Sequence, residues 1–384
     1  MKMKTFLVLI IFASFFSCSE KKPSSSNPLD YITDTTAISI DRKTETYTRS
    51  IQYLDGDLYW WNPNRETISV FDLSSKRLKN IIKMETDGPN GIGRSLGFYI
   101  VNPDSIYVPN TGYKLNLINA QGNKLEDYDY GSYPKLGGVI SSMTRYSTTF
   151  QTNNLGVIYL GLEDLRNIES SDLDKQTLKN YPPILSFNKL RGTFEYLNFR
   201  IPESILKFKD AIEFSFTSAS SSLFLLHNRS NTLYGVHFSG DNFKEYQLQS
   251  DLLKNFSNEY YNSPRMSNSI EENMNVAFKS AENLGLVFDH HKKLLYRFGW
   301  PGEEISNDKD AMKFGYTPRY FTISIYDGSD FSLIKEFTLP RNTYLAHHYF
   351  VDEKGLNLFP MHPDNPEFNE DEMVIHTFDF SELK

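Results

Sequence analysis

The chain has 384 residues, 39% of them hydrophobic and 23% charged, enough to bury a substantial core and too apolar for wholesale disorder. A net charge of −8 argues against a nucleic-acid-binding surface as the main function. The single cysteine excludes disulfide staples, Cys-rich zinc sites and a redox Cys pair.

Residues 1–17 read as an export signal. Lys2 and Lys4 precede an apolar stretch from Phe6 to Phe16, which is too short for a bilayer span of roughly 20 residues and fits a secretory hydrophobic region. Phe15-Phe16-Ser17-Cys18 then resembles a bacterial lipobox, with the only Cys of the chain where the lipid would be attached. Plain secretion or an uncleaved anchor is the other reading. In residues 18–34 the polar run SEKKPSSSNP follows Cys18, and the segment is expected to be a flexible tether from lipidated Cys18 to a domain at 35–384. The expected location is the cell envelope, lipid-anchored and most simply in the outer membrane. Glu20 is followed by Lys21 and Lys22, so periplasmic and surface-facing placements both stay open.

Beyond the tether, short alternating runs bounded by Gly, Asn, Asp and Ser dominate, which is a strand pattern. Phe and Tyr, 29 and 24 residues, suit half-buried pleated surfaces. One unit recurs in chain order: a lead-in, a tight turn and a short apolar strand starting near Leu58, Ile106, Val157, Leu223, Leu294 and Leu356. Most units add two further strands, such as TISVFDL and LKNIIKM in the first and FTISIYD and FSLIKEFTL in the fifth. The last unit has MVIHTFDF and then ends; its missing strand is available in AISIDRKTETY at 37–47. The expectation is an all-β, six-bladed β-propeller with four-stranded antiparallel blades, closed by an N-terminal strand in the last blade. A pair of β-sandwiches is the alternative.

In such blades the A–B and C–D turns share one face, and the B–C and D–A connections share the other. The A–B turns are short. Long connections fall at 85–97, 131–146, 161–182, 201–213, 249–275, 299–319 and 361–372. Long ordered insertions are usually functional, so the long-loop face is expected to recognise a ligand while the opposite face stays plain.

Candidate residues follow from position. Arg94 ends the glycine-rich DGPNGIGR loop, which does not open a helix in a βαβ unit and so is no dinucleotide motif; it could reach the channel and pair with an anion. Trp61, the member of Tyr59-Trp60-Trp61 nearest a B–C loop, could stack on a ligand. Arg297 in LLYRFGW needs a partner if buried, either between blades or at the channel. His347-His348 opens the last blade near the axis and one ring could face the channel, whereas His290-His291 falls in a short A–B turn. Neither pair is a metal clamp alone, since neighbours on a strand point oppositely. The acidic pairs Asp172/Asp174 and Asp308/Asp310 lack EF-hand spacing, leaving calcium a minor option and no cofactor required. Glu163, Asp164, Glu303 and Glu304 are loop carboxylates with no signal that any two converge. Serine-hydrolase and zincin motifs are absent from the sequence.

The lipobox, the Ser/Pro tether, the six hairpins, the DGPNGIGR loop and LVFDHHKKLLYRFGWPG together resemble a family of Bacteroides-type lipoproteins of unknown function. The resemblance spans essentially the whole mature chain and implies an exported six-bladed propeller, with no activity or site residues attached. The functional expectation is a binding module for a peptide, glycan or partner protein. The alternative is a channel-mouth enzyme: a metal-dependent or lactonase-like hydrolase, or a carbohydrate-active one.

Overall fold

A computed structural model describes residues 26–133, 139–142, 150–153, 155–163, 181–205, 214–238, 243–257, 278–304 and 318–384. The strands form separate antiparallel sheets arranged as a six-bladed β-propeller. Blade 1 holds β2 (Ile51–Leu54), β3 (Asp57–Asn62), β4 (Thr67–Asp72) and β5 (Arg77–Lys83). Blade 2 holds β6 (Tyr99–Asn102), β7 (Ser105–Pro109), β8 (Lys114–Ile118) and β9 (Lys124–Asp129). In blade 3 the inner strand is split into β10 (Val139–Ile140) and β11 (Gln151–Thr152), both paired to β12 (Val157–Glu163), followed by β13 (Ile184–Asn188) and β14 (Thr193–Tyr196). Blade 4 holds β15 (Phe214–Ala219), β16 (Ser222–His227), β17 (Thr232–His237) and β18 (Phe243–Gln247). Blade 5 holds β19 (Glu282–Asp289), β20 (Leu294–Trp300), β21 (Thr322–Asp327) and β22 (Leu333–Thr338).

Blade 6 carries the closure. Its strands β23 (Tyr349–Asp352), β24 (Gly355–Leu358) and β25 (Glu372–Phe378) are completed by β1 (Ile32–Ser39) on the outer edge. The register runs from Ile32↔Phe378 to Ser39↔Glu372. The closing strand therefore lies earlier than the 37–47 expected from sequence. Ile38 sits at the fully buried position, while residues 40–50 cross the long-loop face into blade 1. A 3-10 turn at Pro28–Tyr31, with Asn27 accepting from the Leu29 N–H, leads into it, so residues of the expected tether take part in the last blade.

The core is a ring of wedges, not a single centre. Apolar clusters fill the seams between neighbouring blades. Second strands are buried on both sides, as in β20, where every residue is buried; outer strands such as β18 are mostly exposed. Aromatic pairs rivet the seams: Tyr128–Phe187 at 4.7 Å between blades 2 and 3, and Phe224–Phe331 at 4.9 Å between blades 4 and 5. Phe298–Tyr349 at 4.7 Å and Trp60–Phe359 at 5.4 Å do the same for blades 5–6 and 6–1. The high aromatic content is thus seam filler, each pair adding about 0.5–1.5 kcal/mol beyond its area.

Turn chemistry sets the strand ends. Asp55 and Gly56 both have positive φ, 50° and 88°, the signature of a two-residue hairpin turn. Asp72, Asn119, Asn188, Asp327 and Asp379 each accept a backbone N–H two residues on at the end of a third strand. These Asx turns replace ladder bonds that the chain must give up to reverse. The A–B turns at 55–56, 103–104, 153–156, 220–221, 290–293 and 353–354 are short, and the long D–A segments emerge opposite. Three B–C connections, 63–66, 110–113 and 228–231, are as short as the turns of the other face.

Candidate functional site

Two cavities lie at opposite ends of the ring. The larger, about 1420 Å³, is a cleft on the long-loop face over blades 6, 1 and 2. Its middle is built by residues 41–49, the crossing from the closing strand to blade 1. Tyr47 and Arg49 belong to this crossing, with the Arg49 Nε–H donating to the Tyr47 hydroxyl at 3.3 Å. Glu45 accepts from the Asn64 backbone N–H (2.9 Å) and from Asn64 Nδ2 (2.8 Å), pinning the crossing to the β3–β4 turn. Arg65 donates to the Arg42 carbonyl at 2.6 Å. Arg65 and Arg94 stand on the blade 1–2 side, and Glu370 and Asp371 on the blade 6 side. None of these four forms an ion pair among the described residues.

Arg94 and Trp61, picked out separately from the sequence, both line this cleft. Arg94 is exposed there, on the cleft and away from the axial channel. Trp61 is only 5% exposed, and its indole N–H donates to Ser95 Oγ at 3.0 Å. Ser95 Oγ in turn donates to the Glu66 carboxylate, and burial pushes the Glu66 carboxyl up despite that bond. Trp61 therefore offers an edge of the floor, with its ring engaged in the seam cluster between blades 1 and 2. The glycine-rich loop that carries Arg94 ends in Gly97 at φ 92°, where an added Cβ would stand 2.0 Å from the Ser142 carbonyl. No side chain fits that approach.

His347 and His348 are buried and line neither cavity. The His348 ring lies 5.1 Å from Trp60, and its Nε2 is 2.9 Å from the Thr48 carbonyl. Burial holds its pKa down to about 4. Tyr47 packs edge-on to His347 at 5.1 Å, so the pair supports the cleft from beneath. Arg297 is completely buried inside blade 5. Its guanidinium donates to Asn283 Oδ1 (2.7 Å), Asn231 Oδ1 (2.6 Å) and the Tyr326 hydroxyl (3.3 Å). These neutral acceptors satisfy the guanidinium N–H donors and tie blade 5 to the β16–β17 turn, which places Arg297 in the blade and away from the channel.

The second cavity, about 630 Å³, lies on the axis and is lined by inner strands of all the blades. Strand direction and the lining residues Asn153, Ser220, His290 and His291 place its mouth on the short-turn face. That face was expected to be plain; it carries the channel opening, bordered by the short A–B turns at Asn153, Ser220 and His290-His291. Side-chain amides and hydroxyls bridge the inner strands across seams. Gln52 donates to the Ile100 carbonyl and accepts from the Ile100 N–H, each at 2.7 Å. Gln151 Oε1 accepts from Ser218 N (3.1 Å) and Oγ (2.8 Å), and Thr217 Oγ1 accepts from Phe288 N (3.1 Å).

Sequence reasoning missed Arg42, Glu45 and Tyr47 because the crossing was read as part of a strand, and Gln52 because nothing marks an axial glutamine. Glu303 pairs with Arg341 (3.0 Å) and Glu304 with Lys279 (2.9 Å), so these two form surface pairs, apart from any acid–base couple. Asp164, Asp172, Asp174, Asp308 and Asp310, the Glu163 side chain and Cys18 lie outside the described residues. Among the described residues no group of three or more His, Cys, Asp or Glu is placed to hold a metal ion.

Separate sheets in a ring, closed by an N-terminal strand and cleft on one side, define the class: a six-bladed β-propeller. The chain belongs to DUF4221, a family described as a domain of unknown function, whose profile matches residues 25–338. It is similar to a DUF4221 member from Bacteroides vulgatus, with 19% identity over 91% of this chain and 97% of that one and a TM-score of 0.76. It is also similar to a Bacteroides fragilis protein provisionally classed as exported, with 12% identity over 93% and 97% of the two chains and a TM-score of 0.58. Both likenesses speak to the fold. No curated protein matches.

Proposed function

We propose that this protein is an exported, lipid-anchored binding module that holds a peptide segment of a partner protein in the long-loop-face cleft. The observation that carries this reading is a cleft lined by charges of both signs: Arg65 and Arg94 on the blade 1–2 side and Glu370 and Asp371 on the blade 6 side, with no ion pair among these four, and Asp41, Arg42, Glu45 and Arg49 on the crossing between them. A peptide carries both signs at fixed spacing and can satisfy both ends, and the aromatic edges of Tyr47 and Trp61 offer apolar contact between them. Such complementarity sets specificity and association rate. Anchoring through Cys18 would keep the module at the envelope membrane, and several acyl chains at about 0.8 kcal/mol per buried CH₂ would make that attachment firm.

Peptides selected from a random displayed library against the mature protein test the cleft. The expected result is enrichment of sequences carrying both an acidic and a basic residue, with at least tenfold weaker binding to Arg65→Glu/Arg94→Glu. Selected peptides that bind this variant as well as wild type overturn the reading. The anchor is tested separately: Cys18→Ser should move the protein from the membrane fraction to the soluble fraction and abolish labelling by an alkyne fatty acid. Unchanged labelling sinks the anchor and leaves the cleft untouched.

A further inference from the structure

The axial cavity on the short-turn face is chemically unlike the cleft. Among the described residues no Asp, Glu, Lys or Arg lines it. A charged molecule entering would lose water and meet no counter-charge, at a cost of several kcal/mol. Its walls alternate aromatic faces with amides, hydroxyls and imidazoles. Tyr53 stacks on Phe350, which also lines the cavity, at 5.3 Å and 19°, and Phe238 on Tyr159 at 5.0 Å and 16°, so these rings are braced by neighbouring rings. Phe288 lies 5.1 Å from the exposed ring of His290 at the mouth.

Most polar groups of the wall are committed to neighbouring blades, as Gln52 and Thr217 are. The Tyr99 hydroxyl differs. Tyr99 lines the cavity, and its hydroxyl makes no hydrogen bond to any described residue; burial pushes its pKa up with no bond or charge opposing. Tyr99 is half-buried and lines the cavity, so the cavity is the direction in which its phenol is open to a partner. The volume falls in the range of about 300–1,000 Å³ typical of small-ligand sites.

We propose that this cavity is a second binding site, independent of the rim cleft, for an uncharged oligosaccharide of a few residues. The apolar C–H faces of a sugar ring pack on Tyr53, Phe238 and Phe288. The sugar hydroxyls take up the Tyr99 phenol and the His290 and His291 rings at the mouth. An uncharged polyol matches both halves of this lining. An alkyl ligand would leave the Tyr99 hydroxyl unpaired, and a sugar acid would bury its charge unpaired.

Calorimetric titration of the mature protein with maltotriose, cellotriose, xylotriose, mannotriose and triacetylchitotriose tests this. At least one should bind with a Kd of about 1 mM or tighter. Tyr99→Phe should weaken it at least tenfold and His290→Ala by several-fold, while Arg65→Glu/Arg94→Glu leaves it unchanged. Tyr99→Phe removes a hydroxyl that bonds no described residue, so its melting temperature should match wild type and a loss of binding can be read as local. No trisaccharide binding with a Kd of about 1 mM or tighter overturns the proposal. So does binding that Tyr99→Phe does not weaken, or that the arginine variant abolishes.

Discussion

At the residue scale, the buried polar groups act mainly as architecture. His348 shows this with a sign that can be worked out. Its folded pKa of about 4 lies below the ordinary 6.5 because burial disfavours the cation. Between those values the unfolded chain binds the proton and the folded one does not, so stability rises with pH across that window. Neutral His348 is fully tolerated above about pH 6.5; as pH falls toward 4 the folded state loses ground by an amount on the order of 3 kcal/mol. Denaturant midpoints of His348→Gln should therefore decline less steeply than wild type between pH 6.5 and 4. Equal slopes would mean that other groups control acid unfolding. Gln52 carries a second prediction. Gln52→Ala removes both bonds to Ile100 across the blade 1–2 seam and should cost about 1–3 kcal/mol, read as a lower urea midpoint at unchanged slope. None of this was visible beforehand: a Gln in SIQYL or a His pair before YFV reads alike whether it faces solvent, seam or axis, because the seam partner is supplied by a distant part of the chain. The positions of Arg94 and Trp61 on the long-loop face were legible because loop ends and aromatic strand ends are marked locally by Gly, Pro and Asn; that Arg94 faces the cleft and not the channel was not.

At the element scale, hairpins were the most readable feature. The second strands begin at Asp57, Ser105, Val157, Ser222, Leu294 and Gly355, each within a residue of the position read from sequence, since Asx and Gly turn signals bracket short apolar runs. The closing strand was misplaced because Ala37–Tyr47 alternates as well as Ile32–Ser39 does. Pairing to β25 decides the matter: Ile38 opposite Met373 and Thr36 opposite Ile375 put the apolar side chain inward. Deleting residues 26–39 should expose the β25 edge and remove Ile38 from the blade 6–1 seam cluster. Burial of one such side chain contributes about 1.5–3 kcal/mol, and the bared edge invites pairing between molecules. The truncated protein should melt roughly 10 °C or more below wild type and form oligomers on size-exclusion chromatography. A monomer with an unaltered melting curve would show that closure by β1 is dispensable.

At the scale of the whole molecule, the ring joins chain ends that are remote in sequence. The Asp379 N–H donates to the Tyr31 carbonyl at 3.0 Å, so the start of β1 touches the end of β25 in blade 6. Every apolar cluster among the described residues joins neighbouring blades, two in most cases and blades 2, 3 and 4 in the largest. The chain's starting point should therefore matter far less than the completeness of the circle. A circular permutant tests this: residues 384 and 27 are joined by a short Gly/Ser linker, and new ends are opened at the exposed 220–221 turn of blade 4. Every ladder between β1 and β25 and every seam pair is retained; only the turn between Ala219 and Ser222 is cut. New ends at an exposed tight turn are well tolerated. The permutant should be monomeric, melt in one transition, and lie closer to wild type than the 26–39 deletion does. A permutant that melts as low as the deletion would mean that the native order of blade formation, and not ring closure, governs stability.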